Sequence, residues 1–204
     1  MLQYSAVYPS TLAVLKKLML HVSLSDFYLV GGTALALQIG HRISVDIDLF
    51  SEKEFSAEDL FRELKTMDAV EVIGMDKHTL NLTIEDCKTD IIRFNYPLLE
   101  KILNEDGIRM LHKKDIAAMK LSAIANRGSK KDFFDLFFLL KEYPLNEILG
   151  FYTHKFGNRD KFHIYKSLTF FNDAEMDPDP IMLIKTTWLE VKSNIQNEVK
   201  KLLL

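Results

Sequence analysis

The sequence predicts an α+β protein: a mixed sheet with helices over residues 1–110, followed by an α-helical domain over 111–204. Three observations carry this expectation. The stretch "FYLVGGTALALQI" reads as a buried strand that stops at a glycine pair and passes straight into a helix. The runs "AVEVIGM", "HTLNLTIED" and "KTDIIRFNY" have the texture of three short strands with tight breaks, which suggests a meander of neighbours. After Pro97 the apolar spacing becomes helical and stays so.

The remaining elements follow in order. Residues 8–22 space Leu12, Leu15, Leu18, Met19 and Val22 as one helix face, with Pro9 near its start. "SVDIDLF" alternates polar and apolar residues, the period of a strand with two different faces. Ser56 opens a helix with Glu58 and Asp59 in its first turn. In the second half, "KKDIAAMKLSAIANR", "SKKDFFDLFFLLKEY" and stretches around 144–155, 158–170 and 181–203 read as helices.

Composition narrows the class. With 48% hydrophobic and 27% charged residues, the chain has the balance of a soluble globular protein. A net charge of −3 gives no global basic character of the kind that advertises nucleic-acid binding. The single cysteine, Cys87, excludes an internal disulfide and a cysteine-rich zinc site, and it reads as a small core residue. The six histidines lack ligand spacing, and His41 reads as an exposed loop residue. Lys16 and Lys17 interrupt the apolar N-terminus, no cleavage site follows it, and no apolar run approaches bilayer length. The expected location is the cytoplasm, with no membrane partner.

The chemistry concentrates in "YLVGGTALALQIGHRISVDIDLFS". On a strand, Asp46 and Asp48 project from one face while Ile47 and Leu49 enter the core. Two close carboxylates repel each other and resist desolvation, so a divalent cation is the obvious compensation. A third acid is available in Asp90, whose apolar followers Ile91 and Ile92 suit an inward strand position; Glu85 and Asp86 are the alternatives. Gly31 and Gly32, directly before a helix, would bring backbone N–H groups close to an anion.

Strand, glycine pair, helix and an Arg-x-Ser-x-Asp-x-Asp strand together resemble the signature of the polymerase-β-like nucleotidyltransferases, and more narrowly the AbiEii/AbiGii toxin family. The resemblance covers roughly residues 27–140, including the segment "DIAAMKLSAIANRGSKKDFFDLFFLL". It implies that Asp46, Asp48 and Asp90 bind Mg²⁺, two ions in all, and act in catalysis together with Lys120. It implies nucleotide-side roles for Gly31, Gly32, Thr33, Arg42 and Ser44, and for Arg127, Lys131, Asp132 and Asp135 in the helical segment. The implied reaction transfers an NMP from an NTP to an acceptor hydroxyl of RNA, tRNA above all, or of protein. The implied setting is a type IV toxin–antitoxin or phage-abortive-infection system with the antitoxin encoded nearby. A small-molecule acceptor such as an antibiotic, a non-catalytic interaction module of the same fold and a phosphohydrolase are the rival readings.

Spacing alone gives residues of the helical segment structural roles as well. Lys120 borders an apolar stripe, where a lysine commonly snorkels to the surface. Ser129 and Asp132 have the spacing of a capping box. Asp135 lies among phenylalanines and needs a cationic partner, for which Lys120, Arg127 and Lys131 are candidates.

Overall fold

The structure, a computed structural model, describes residues 1–157 and 161–203. It divides into two compact units, Met1–Tyr96 with Lys101–Leu111, and Pro97–Glu100 with His112–Leu204.

The first unit runs α1 (Pro9–Leu20), β1 (Tyr28–Leu29), α2 (Gly31–Ile39), β2 (Ile47–Ser51), α3 (Ala57–Leu64), β3 (Val70–Asp76), β4 (Thr79–Ile84), β5 (Cys87–Arg93), β6 (Leu103–Glu105) and β7 (Ile108–Met110). Its sheet has the order β3-β4-β5-β2-β1-β7-β6. The expected meander is present as antiparallel β3-β4-β5, and β5 then lies parallel to β2. Pro9 occupies the first turn of α1, where its missing N–H costs nothing. The hydroxyl of Ser56 accepts from Asp59 N at 3.2 Å and caps α3.

Two readings need correction here. The chain is not continuously helical after Pro97, because the hairpin β6–β7 follows and β7 pairs in parallel with β1. Its strands are three residues each, too short to show a period in sequence. His41 is fully excluded from solvent, so it is not an exposed loop histidine.

In the β strands, one face carries the core: Ile47, Leu49, Leu80, Leu82 and Ile91 are fully buried. Cys87 is buried, as its composition suggested. Arg109 on β7 donates to the carbonyls of Phe27, Met19 and Leu24 at 3.0–3.1 Å, which ties the sheet to the end of α1 and the turn after it.

The second unit contains α4 (Lys113–Asn126), α5 (Lys130–Leu139), α6 (Leu145–Phe156), α7 (Lys161–Thr169), a short α8 (Asn172–Glu175) and α9 (Trp188–Leu203). The predicted start of a helix at 158–160 lies outside the described residues. Phe133, Phe134, Phe171 and Trp188 pack ring against ring, with centroids 5.1–5.8 Å apart, so these aromatics serve the core. Among the described residues no helix is long and apolar enough to cross a membrane.

A buried ion pair explains why Pro97–Glu100 belongs with the helices. Lys155 Nζ lies 2.7 Å from Asp115 Oδ1 and donates to the Pro97 carbonyl at 2.9 Å. Asp115 in turn accepts from the N–H groups of Leu99 and Glu100 at 3.0 and 3.2 Å. Removing one partner leaves an uncompensated buried charge. Lys155→Met should therefore cost about 3–5 kcal/mol in urea denaturation, far more than an exposed lysine such as Lys101.

Candidate active site

The site begins where β1 ends. Val30 N donates to the Asp48 carbonyl at 2.9 Å, which lays the start of α2 beside β2. Gly31 has φ +66°, a left-handed conformation that side chains resist. A Cβ there would stand 2.5 Å from Asp48 Oδ2, and one on Gly32 would stand 2.3 Å from a terminal nitrogen of Arg42. The glycine pair thus lets a carboxylate and a guanidinium both reach the backbone at a helix N-terminus.

Around this turn, Thr33, Arg42 and Ser44 are buried. The Thr33 hydroxyl donates to the Asp46 carbonyl and accepts from the Ser44 hydroxyl at 2.9 Å. In this arrangement the hydroxyls brace the glycine turn against the acidic strand. Arg42 additionally donates to the Ile43 carbonyl at 3.0 Å.

Burial along β2 alternates, with Ile47, Leu49 and Ser51 inside and Asp48 and Phe50 partly exposed. Asp46 immediately precedes the strand. In the parallel β2–β5 pairing Asp48 stands directly opposite Asp90. Asp90 Oδ1 accepts from Asn81 Nδ2 at 2.7 Å, and Asp90 Oδ2 is 3.1 Å from Lys88 Nζ.

Lys88 is a member of the site that sequence reasoning missed. Its hydrogen bond to Asp90 chiefly, then the Asp90 charge, raise its pKa; burial opposes them, and Asp46 and Asp48 reinforce them. Lys88 thus pairs directly with Asp90 and also feels the charges of Asp46 and Asp48. The available signal was its spacing, i and i+2 with Asp90 on one strand face.

The donor chemistry suits a hard divalent cation, since carboxylate oxygens from Asp48 and Asp90 share one face of adjacent strands. No group of three or more His, Cys, Asp or Glu takes up a metal-holding arrangement among the described residues. Mg²⁺ ordinarily takes one or two protein carboxylates and completes its shell with substrate phosphates and water, so a protein-only cage is not required.

The helical unit gathers the other implied residues into a separate cluster. Lys120 Nζ lies 2.9 Å from Asp132 Oδ1 and 2.5 Å from Asp135 Oδ2, with all three side chains almost wholly buried. Lys120 does not snorkel, and it is the partner Asp135 required. Arg127 holds Asp132 with two bonds, at 2.8 and 3.0 Å, while staying 58% exposed itself. Lys131 is exposed. Burial would raise the Asp132 pKa, but Lys120 and Arg127 more than offset it and hold the carboxyl below its ordinary value. Asp132 does not form a capping box; Asp177 accepts from Ser129 Oγ and Lys130 N, both at 2.9 Å, and caps α5 from a distance in sequence.

A mixed sheet with helices, a glycine turn at a helix N-terminus and acids on the next strand define an enzyme of the nucleotidyltransferase fold. The model of the family described as nucleotidyl transferase AbiEii toxin, Type IV TA system, matches residues 13–201, and the chain belongs to that family. It is 40% identical over 187 residues to the uncharacterized protein aq_aa25 of Aquifex aeolicus (strain VF5), covering 88% of this chain and 89% of that protein. Its fold resembles JHP933 from Helicobacter pylori with a TM-score of 0.55 at 19% identity, over 96% of this chain and 94% of that one. It also resembles MenT4, the nucleotidyltransferase toxin Rv2826c from Mycobacterium tuberculosis H37Rv, with a TM-score of 0.55 at 12% identity, over 92% and 82%. The protein is a nucleotidyltransferase.

Two outcomes follow from this geometry. Gly31→Ala should lower stability by about 1–3 kcal/mol, because it adds left-handed strain and forces Asp48 aside; urea midpoints check this. Asp132 has a depressed pKa, so its contribution to stability is present above the ordinary carboxylate range and is lost as pH falls through the depressed value. Denaturation midpoints should therefore fall with pH below about 5, and less steeply in Asp132→Asn.

Proposed function

We propose that the enzyme binds an NTP at the glycine turn and moves its NMP onto an acceptor hydroxyl, with Asp46, Asp48 and Asp90 as ligands for divalent metal, Mg²⁺ by its hard-oxygen preference. The observation that carries this reading is the register of Asp48 opposite Asp90, with the Gly31 backbone against Asp48. When bound, the metal supplies charge neutralisation at the phosphates and a lowered pKa at the acceptor hydroxyl.

The chain's own residues do the rest. The α2 N-terminus and the glycine turn hold the phosphates through backbone N–H groups, with Arg42 behind Gly32 adding positive potential. Thr33 and Ser44 keep the turn in place. Asp90, on the strand farther from the glycines, receives the hydroxyl proton. The acceptor oxygen bonds to the α-phosphorus while the bond from that phosphorus to pyrophosphate breaks. Lys120, between two aspartates, fixes α4 against α5.

Family membership supports a toxin of a type IV toxin–antitoxin system, with its antitoxin encoded nearby and an acceptor hydroxyl on RNA or protein in the cytoplasm. The test is label transfer from each α-labelled NTP to bacterial RNA or protein. Losing even an outer-shell partner of a metal ligand costs about 10–100-fold, so Asp46→Asn and Asp48→Asn should each cost at least about 100-fold. Labelling that survives both substitutions refutes the assignment. Growth arrest on expression that disappears with Asp48→Asn supports the toxin role, and arrest that persists counts against it.

A further inference from the structure

The sheet face that carries the acids does not end with them. Beyond Asp48 and Asp90 the same alternation brings Phe50 and Ile92 to that face, in register with each other. Phe94 N donates to the Ser51 carbonyl at 2.8 Å, so the strand pairing continues to Phe94. The Phe50 and Phe94 rings have centroids 4.8 Å apart at 32°, and Phe94 and Tyr96 are 4.8 Å apart at 47°. All three residues are partly exposed. Aromatic side chains are usually drawn into a core. Here three form a row that leads away from the acids, and Phe50 starts it about 7 Å along the strand from Asp48.

We infer that Phe50, Phe94 and Tyr96 stack the terminal base of the acceptor, a single-stranded RNA end, an inference that rests on the nucleotidyltransferase reading above. Stacking on exposed aromatic rings is the sequence-tolerant way proteins hold unpaired bases. The sheet order decides which base. Across β5-β2-β1, the glycine turn that receives the phosphates lies on the β1 side of Asp48, whereas Phe94 and Tyr96 continue β5 on the other side. Attacking and leaving oxygens lie roughly in line in phosphoryl transfer, so the acceptor approaches from the side away from the pyrophosphate. The aromatic row is on that side.

The test compares two short RNAs, one ending in 2-aminopurine riboside and one ending in an abasic ribose, titrated onto the full chain without NTP. The base-ended RNA should bind about tenfold tighter, with its fluorescence quenched. Phe94→Leu and Tyr96→Leu, which keep apolar bulk but lose the ring, should abolish the preference. Phe94→Tyr and Tyr96→Phe should retain it. Affinity for Mg²⁺ with an α,β-methylene NTP should stay unchanged throughout. Equal binding of the two RNAs, or leucine variants that weaken the nucleotide analogue instead of the RNA, overturns the inference. Label transfer without a base preference removes the platform alone, whereas a base preference without label transfer removes the carboxylate mechanism.

Discussion

Asp48 can reach the N-terminus of α2 only because Gly31 has no Cβ, and much of the catalytic geometry depends on that contact. The left-handed backbone at Gly31 turns the chain out of β1 and into the helix within one residue. The same turn sets the Asp48 carbonyl to receive Val30 N and lets the Arg42 guanidinium lie along Gly32. A negative carboxylate beside a helix N-terminus is favourable. It also puts the backbone of a helix N-terminus and an acidic side chain within one residue's reach, which larger side chains at positions 31 and 32 would prevent.

Both units face one physical problem, acids drawn together in low dielectric, and they solve it to different degrees. In the helical unit the solution is closed: Asp132 and Asp135 share Lys120, Arg127 adds a second cation, and the aspartates are out of solvent. Such a cluster is costly to open and so holds α4 against α5. In the sheet the solution is open: Lys88 pairs directly with Asp90, which is partly exposed, and its own side chain is 56% exposed. An exposed ion pair is weak and yields readily. A competing cation can therefore displace Lys88, whereas nothing displaces Lys120 without large loss.

The acidic strand was legible because strand alternation is strict: once Ile47 and Leu49 are core, Asp46 and Asp48 must share the other face. The glycine turn was legible for the steric reason just given. Legibility failed where partners come from distant sequence. His41 reads as an exposed residue in isolation, and only the tertiary fold excludes it from water. Asp132 has capping-box spacing, but Asp177 takes the capping role from 48 residues away from Ser129, and no local pattern encodes that. The β6–β7 hairpin escaped because three-residue strands carry too few alternations to register, and because β7 gains its place by pairing with β1.

The return of the chain to the sheet after Pro97 has a consequence for function. Residues 97–100 are held among the helices by Asp115 and Lys155, and residues 101–111 go back to supply β6 and β7. Tyr96, the last ring of the aromatic row, is thus the residue at which the sheet hands the chain to a rigid, charge-pinned segment. A stacking ring must be held in orientation to contribute, because its gain is reduced by the rotamer freedom it loses. Pro97 restricts the backbone of Tyr96 directly, and the Lys155 contact to the Pro97 carbonyl fixes the next peptide. The row running from Asp90 to Tyr96 is therefore ordered by the β2–β5 ladder at its start and by the backbone restriction that Pro97 imposes at its end.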